Sequence, residues 1–280
     1  MASPLIDAAR LNAMLTGSNP PVVLDIRWTL RGGEDPSGYA SGHIPGARFV
    51  RMDRDLSSAP GARGRHPLPG GQEFAQAVRR AGVSDDSVVV CYDDGPGVSA
   101  SRAWWLLRHF GHRDAFVLDG GLAAWTAAGF PLSTDEPEVS EGDFTLGETL
   151  APAIDSDEVL DAAQDGMLLD ARDNERFQGI IEPVDKVAGH IPGAVSAPTA
   201  ANMDPDGRMR SPQELRERFE GLGVTGDKPV TVYCGSGISA AHEILALEHA
   251  GYTATALYPG SWSHWIEDPA NPVETGPGQG

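Results

Sequence analysis

The chain has 280 residues, enough for two domains of about 140 residues each, and either could bury a core without disulfide or metal staples. Hydrophobic residues make up 40% and charged residues 22%, a globular balance that excludes disordered and fibrous classes. The net charge is −19 and uneven: residues 1–140 carry 13 basic and 16 acidic side chains, residues 141–280 carry 8 and 24. Such a surface repels nucleic acid and anionic lipid, and neither is expected as a partner. No apolar run approaches the ~18 residues of a membrane span. The amino-terminal stretch MASPLIDAARLNAML lacks a basic region ahead of an apolar one, so no export signal is expected. Two cysteines, Cys91 and Cys234, are too few for a disulfide framework, and a reducing cytoplasm is the expected setting.

In chain order, VVLDIR (Val22–Arg27) reads as a buried strand, followed by GHIPGA (Gly42–Ala47), the charged stretch RMDRD and the loop RHPLPGG. A helical pattern follows over Gln72–Gly82, then the apolar run VVVCYD (Val88–Asp93), a second helix over Ser99–Gly111 and VLDGGLAAW (Val117–Trp125). Residues 133–143, STDEPEVSEGD, are polar, acidic and aperiodic, as a linker is. The order then repeats: MLLDAR (Met167–Arg172), GHIPGA again at Gly189–Ala194, VTVYCG (Val230–Gly235), a helix over Ser239–Gly251 and LYPGSWSHW (Leu257–Trp265). His43 and His190 are 147 apart, Asp93 and Cys234 141, Trp125 and Trp265 140. Four ordered matches at nearly one offset predict a duplicated domain: residues 1–132, a linker over 133–146, and residues 147–280. Short Val-rich runs alternating with helices predict an α/β fold, each copy a small, mainly parallel sheet flanked by helices.

The sharpest chemical feature is Tyr233-Cys234-Gly235-Ser236-Gly237-Ile238-Ser239. A strand ends at the cysteine, a Gly-rich loop follows, and a helix starts near Ser239. Backbone N–H groups and the helix N-terminus then converge on the sulfur and favour the thiolate, the nucleophilic form. No Lys or Arg lies between Lys228 and the last residue, so amides and groups from elsewhere in the fold must supply the activation. Cys91, inside an apolar run, reads as an inert core residue. Asp93 occupies the aligned position in the first copy, where a carboxylate can sit in an anion cradle but cannot carry sulfur. The repeated His43 and His190, and Asp25 and Asp170, read as scaffold, and Trp262 and Trp265 as core. There is no His/Cys cluster at metal-ligand spacing and no dinucleotide fingerprint, so neither metal nor cofactor is expected.

Together, D-x-R followed by GHIPGA, YDD in the first half, CGSGxS in the second and GSWxxW near the end resemble the tandem-rhodanese sulfurtransferases over Leu5 to about Val273. The resemblance implies transfer of a sulfane sulfur from a small donor, through a persulfide on Cys234, to a thiol such as thioredoxin or a low-molecular-weight thiol, or to cyanide. The loop CGSG resembles that of the 3-mercaptopyruvate branch, whose product is pyruvate; the thiosulfate branch resembles CRKG, with two cations for a dianion. By the same resemblance Ser236, His66 and Asp53 form a relay from the two halves, and Arg176 grips the substrate carboxylate. Gly235, Gly237, Ile238 and Ser239 complete the binding loop. Where that branch carries a second arginine this chain has Val184, which makes Lys186, or a first-half cation such as Arg63 or Arg65, the expected substitute. The alternatives are thiosulfate as donor, a non-catalytic binding module, and a Cys-x5-Arg phosphatase, which Ala240 at the arginine position disfavours.

Overall fold

The computed structural model describes residues 3–278. The first half opens with strand β1 (Leu5–Ile6), helix α1 (Ala8–Leu15), strand β2 (Val22–Asp25) and an antiparallel hairpin of β3 (Trp28–Thr29) and β4 (Gly33–Glu34). There follow α2 (Pro36–Ser41), β5 (Arg48–Phe49), α3 (Met52–Asp55), α4 (Gly71–Arg80), β6 (Val89–Tyr92), α5 (Val98–His109), β7 (Ala115–Leu118) and α6 (Gly121–Ala127). The second half runs α7 (Val159–Asp165), β8 (Met167–Asp170), α8 (Asn174–Phe177), β9 (Ala194–Ser196) and a 3-10 turn over Thr199–Asn202. It continues with α9 (Pro212–Gly221), β10 (Val230–Tyr233), α10 (Ser239–His249), β11 (Thr255–Leu257) and α11 (Ser261–Trp265).

Both main sheets are parallel throughout, in the orders β1-β7-β6-β2-β5 and β11-β10-β8-β9. The four runs expected as buried strands are β2, β6, β8 and β10, each interior to its sheet. Every residue of β6 and β10 is buried, because helices cover both faces of a parallel sheet. In the second half the counterpart of β1 shrinks to a single bridge between Ala153 and Leu257.

The repeated letters close one structural knot in each half. Arg27 bonds Asp25 and donates 2.6 Å to the Gly42 carbonyl; Arg172 bonds Asp170 and donates 2.7 Å to the Gly189 carbonyl. Tyr92 donates to Asp25 and accepts from the Ile44 N–H, and Tyr233 accepts from the Ile191 N–H. The knot ties the ends of the two central strands to the GHIPGA turn. Buried charges held this way demand every partner, so the same residue types recur at both ends of the molecule. His43 stacks on Tyr39 and His190 on Phe177, which makes both histidines scaffold.

Residues 133–146 form no helix or strand, yet they lie against the first half. Ser133 bridges to His43, Phe144 is buried edge-on to Phe74, and Thr145 bonds Asp85. Helices α5 and α10 pack on each other, and Trp104, Leu107, Ile244 and Leu247 belong to one apolar cluster spanning both halves. Each such side chain contributes about 1.5–3 kcal/mol on burial, so the two halves are held as one body. The loops that precede α5 and α10 consequently face each other across a cavity.

Candidate active site

Strand β10 delivers Cys234 to the floor of that cavity, which measures about 410 Å³. The loop after it is strapped from below by α11. The Cys234 N–H donates 3.1 Å to Ser261 Oγ, and the carbonyls of Cys234 and Gly235 accept from the N–H groups of Trp262 (2.9 Å) and Ser263 (3.0 Å). Ser261 holds this place at φ 54°, the only non-glycine with positive φ among the described residues, because its hydroxyl both accepts from Cys234 and donates 2.9 Å to the Tyr258 carbonyl. The Gly237 N–H donates 3.1 Å to Cys234 Sγ, at φ +81°. A Cβ there would lie 2.6 Å from the Pro259 carbonyl oxygen and 2.9 Å from Arg102 Nη1, so only glycine lets the chain curl this tightly over the sulfur. Cys91 lies in the core, where burial pushes its thiol pKa up and leaves it inert.

Ser236 Oγ lies 2.8 Å from His66 Nδ1, and His66 Nε2 lies 3.5 Å from Asp53 Oδ1. The three residues expected as a relay therefore stand in line, contributed by both halves. Ser236 is on the cavity wall, with His66 behind it and Asp53, more than half exposed, on the solvent side. The imidazole sits edge-on to Trp28, with ring centres 5.2 Å apart. Burial, reinforced by the Arg102 charge and only partly opposed by Asp53, pushes the His66 pKa down to about 4. At neutral pH the ring is uncharged and can accept a proton at one nitrogen. Its contacts suit the tautomer with Nε2–H toward Asp53 and Nδ1 accepting from Ser236.

Two guanidiniums reach the mouth of the loop. A Cβ on Gly235 would come within 2.7 Å of Arg65 Nη2 and 3.7 Å of Arg176 Nη1, so the bare backbone here keeps both cations close to the sulfur's surroundings. Arg176 is fixed through Nη2 by Glu182 at 2.8 Å and Asp185 at 3.0 Å, and Arg65 is paired with the same Asp185. Ile238 and Ser239 line the cavity at the start of α10, as the loop reading expects. Lys186 corrects an expectation: its ammonium is on the outer surface, 3.0 Å from Glu267, and takes no part in the wall around Cys234. The loop turns Glu182 and Asp185 inward to hold the arginines, which leaves Val184 and Lys186 facing out. Arg65, and not Arg63, is the first-half cation on the cavity wall.

One residue of the site is absent from the expectations. Arg102, on α5, is wholly buried, and its guanidinium donates to three backbone carbonyls: Leu56 at 3.4 Å, Gly237 at 3.2 Å and His66 at 3.0 Å. Among the described residues no carboxylate pairs with it. Burial pushes its pKa down to about 10, with the sulfur of Cys234 acting in the opposite sense, so it remains cationic at neutral pH. The available signal was an arginine inside SASRAWWLLRHFG, a helix whose other residues near that position read as buried.

The model of the rhodanese-like domain matches residues 7–128 and again residues 155–268. A Pseudomonas aeruginosa protein named "Probable 3-mercaptopyruvate sulfurtransferase" is 48% identical over 285 residues, covering 97% of this chain and 98% of its own. A thiosulfate sulfurtransferase of Gallus gallus is 36% identical, covering 87% of this chain and 86% of its own. The crystal structure of the Escherichia coli 3-mercaptopyruvate sulfotransferase SseA superposes with a TM-score of 0.83 at 34% identity, over 94% of this chain and 100% of that one. With a rhodanese-like domain in each half and sulfurtransferases as full-length relatives, the chain belongs to the rhodanese family as a two-domain sulfurtransferase.

Proposed function

We propose that the protein moves sulfur from 3-mercaptopyruvate to a thiol or cyanide through a persulfide on Cys234, releasing pyruvate. In the first half-reaction the Cys234 thiolate attacks the donor sulfur. The S–S bond forms, the C3–S bond breaks, and its electron pair leaves on the pyruvate enolate. The proton of the donor thiol ends on C3, so the products are the persulfide anion and pyruvate. The acceptor's thiolate or cyanide then attacks the outer sulfur and returns Cys234 as thiolate. Splitting the transfer into two displacements lowers each barrier.

The observation that carries this reading is the line Ser236–His66–Asp53 behind the cysteine loop. Breaking a C–S bond leaves a carbanion equivalent that needs a proton, and an uncharged histidine in contact with a hydroxyl on the cavity wall suits that shuttle. Thiosulfate, whose leaving group is sulfite, needs none. The cations support the same choice. Arg65 and Arg176 are already shared with Asp185 and Glu182, and the loop itself has no cation, which favours a monoanionic carboxylate over a dianion. In this reading residues 147–280 carry the chemistry and residues 1–132, joined by 133–146, complete the site. Thioredoxin or a low-molecular-weight thiol is the acceptor in a reducing cytoplasm, a setting supported by both cysteines being unpaired. Parallel steady-state assays with both donors test it: kcat/KM higher with 3-mercaptopyruvate is expected, and a higher value with thiosulfate overturns the assignment.

A further inference from the structure

Arg102 stands out as a fully buried charge with no carboxylate to answer it. It sits on α5, in the half that lacks the nucleophile, and its fork spans the junction of three segments: the end of α3 at Leu56, the His66 loop and the Cys234 loop at Gly237. A buried guanidinium is ordinarily matched by an acid, and leaving one unmatched is strongly destabilising. The arginines elsewhere around the cavity follow that rule: Arg65, Arg172 and Arg176 each have a carboxylate partner. Among the described residues Arg102 has no carboxylate partner, and the residue whose carbonyl it holds, Gly237, also donates its N–H to Cys234 Sγ, which acts on the guanidinium as an anion would.

We propose that Arg102 is a positioning residue of the sulfur-transfer site, clamping the Cys234 and His66 loops to each other by their carbonyls and answering the negative charge that resides on sulfur before and after transfer. The inference rests on the reading of Cys234 as nucleophile and of His66 as relay. Its geometry makes two separable contributions. The planar fork holds the Gly237 carbonyl, in the peptide next to the one whose N–H is on Sγ, and so limits rotation about the shared Gly237 Cα. The charge also bears on His66, in the sense opposite to that of Asp53. The groups facing that ring are Asp53 from α3, Arg102 from α5, the adjacent Arg65, the Ser236 hydroxyl and the Trp28 ring. Arg102 is the stronger of the two cations in keeping the imidazole unprotonated, ahead of Arg65.

Two variants of the full chain separate fork from charge. Arg102→Gln removes the charge and keeps one donor group, the amide NH2; Arg102→Lys keeps the charge and loses the fork. With 3-mercaptopyruvate, the expected result is a kcat loss of about 100-fold for Arg102→Gln and about tenfold for Arg102→Lys, with KM within about threefold of wild type in both. Imidazole NMR titration, which needs no donor, is expected to find the His66 midpoint of Arg102→Gln raised by about half a pH unit or more, and that of Arg102→Lys unmoved. A folded variant of either kind with kcat within threefold of wild type, or an unmoved His66 midpoint in Arg102→Gln, overturns the proposal. If Arg102→Gln does not fold, the turnover of Arg102→Lys decides. Failure of the wild-type protein to take sulfur from 3-mercaptopyruvate sinks the donor assignment instead, and the His66 titration still judges Arg102.

Discussion

The ends of β6 and β10 present the same strand, loop and helix built around opposite contents. At the end of β6 the Asp93 carboxylate fills its own cradle, accepting from the N–H groups of Gly95 (3.0 Å), Gly97 (2.9 Å), Ser99 (2.9 Å) and Ala100 (3.1 Å). At the end of β10 the smaller Cys234 Sγ takes one N–H, from Gly237 at 3.1 Å. The first loop is closed by a side-chain carboxylate, whose pKa burial pushes up against the pull of the four N–H groups. The second keeps backbone donors near a group that can be extended by one sulfur atom, with an S–S bond of about 2.05 Å, into the cavity the two loops share. Asp93 and Cys234 both lie on that cavity's wall, so matching strand ends deliver different side chains to one shared space. In the proposed function, the duplicated scaffold separates holding a loop together from doing chemistry at it.

The sharpest break in this comparison is in stability. Asp93→Ala leaves four buried N–H groups without their acceptor and is expected to cost about 3–4 kcal/mol, whereas Cys234→Ala, losing one weak acceptor, costs about 1 kcal/mol. Urea unfolding of both variants measures the contrast; equal losses would mean that the two cradles are structurally alike. The next effect belongs to His66. Its native pKa of about 4 lies below the ordinary 6.5, so the unfolded chain takes up a proton that the native state resists. Stability is therefore lost as pH falls from about 6.5 toward 4. Between pH 7 and 4.5 the wild type should lose about 2 kcal/mol more than His66→Gln, as read by urea unfolding at both pH values. A pH dependence identical in the two proteins would contradict the burial of an uncharged ring.

Smaller effects sort the cations. Arg65→Ala is expected to raise KM for 3-mercaptopyruvate about tenfold, the scale of one charged hydrogen bond, with kcat less affected. Lys186→Ala, which removes only an exposed pair with Glu267, should leave KM within about twofold. The reverse order of these two would return the carboxylate site to the segment ahead of the second GHIPGA.

Much of this architecture is legible in the residues. The interior strands announce themselves as Val-rich runs, and the repeat pairs them across the two halves. Cys234 is distinguished from Cys91 by glycine and serine flanks that make a cradle instead of a core. His66 and Asp53 are a different matter: both sit in irregular, charged segments where no periodicity fixes direction, and only the family resemblance singled them out. Lys186 shows the limit of reasoning from spacing. It lies two residues from Val184, but the loop spends its inward positions on Glu182 and Asp185, whose carboxylates are needed by Arg172, Arg176 and Arg65. Arg102 was hidden because a helix pattern marks which face is buried, not which backbone carbonyls that face will meet from the other half.

The most direct test of the account is intact-protein mass spectrometry after incubation with 3-mercaptopyruvate and removal of excess donor. The wild type should gain the mass of one sulfur, and Cys234→Ser, with Cys91 still present, should gain none. An unchanged wild-type mass, or the same gain in Cys234→Ser, would contradict sulfur transfer through Cys234.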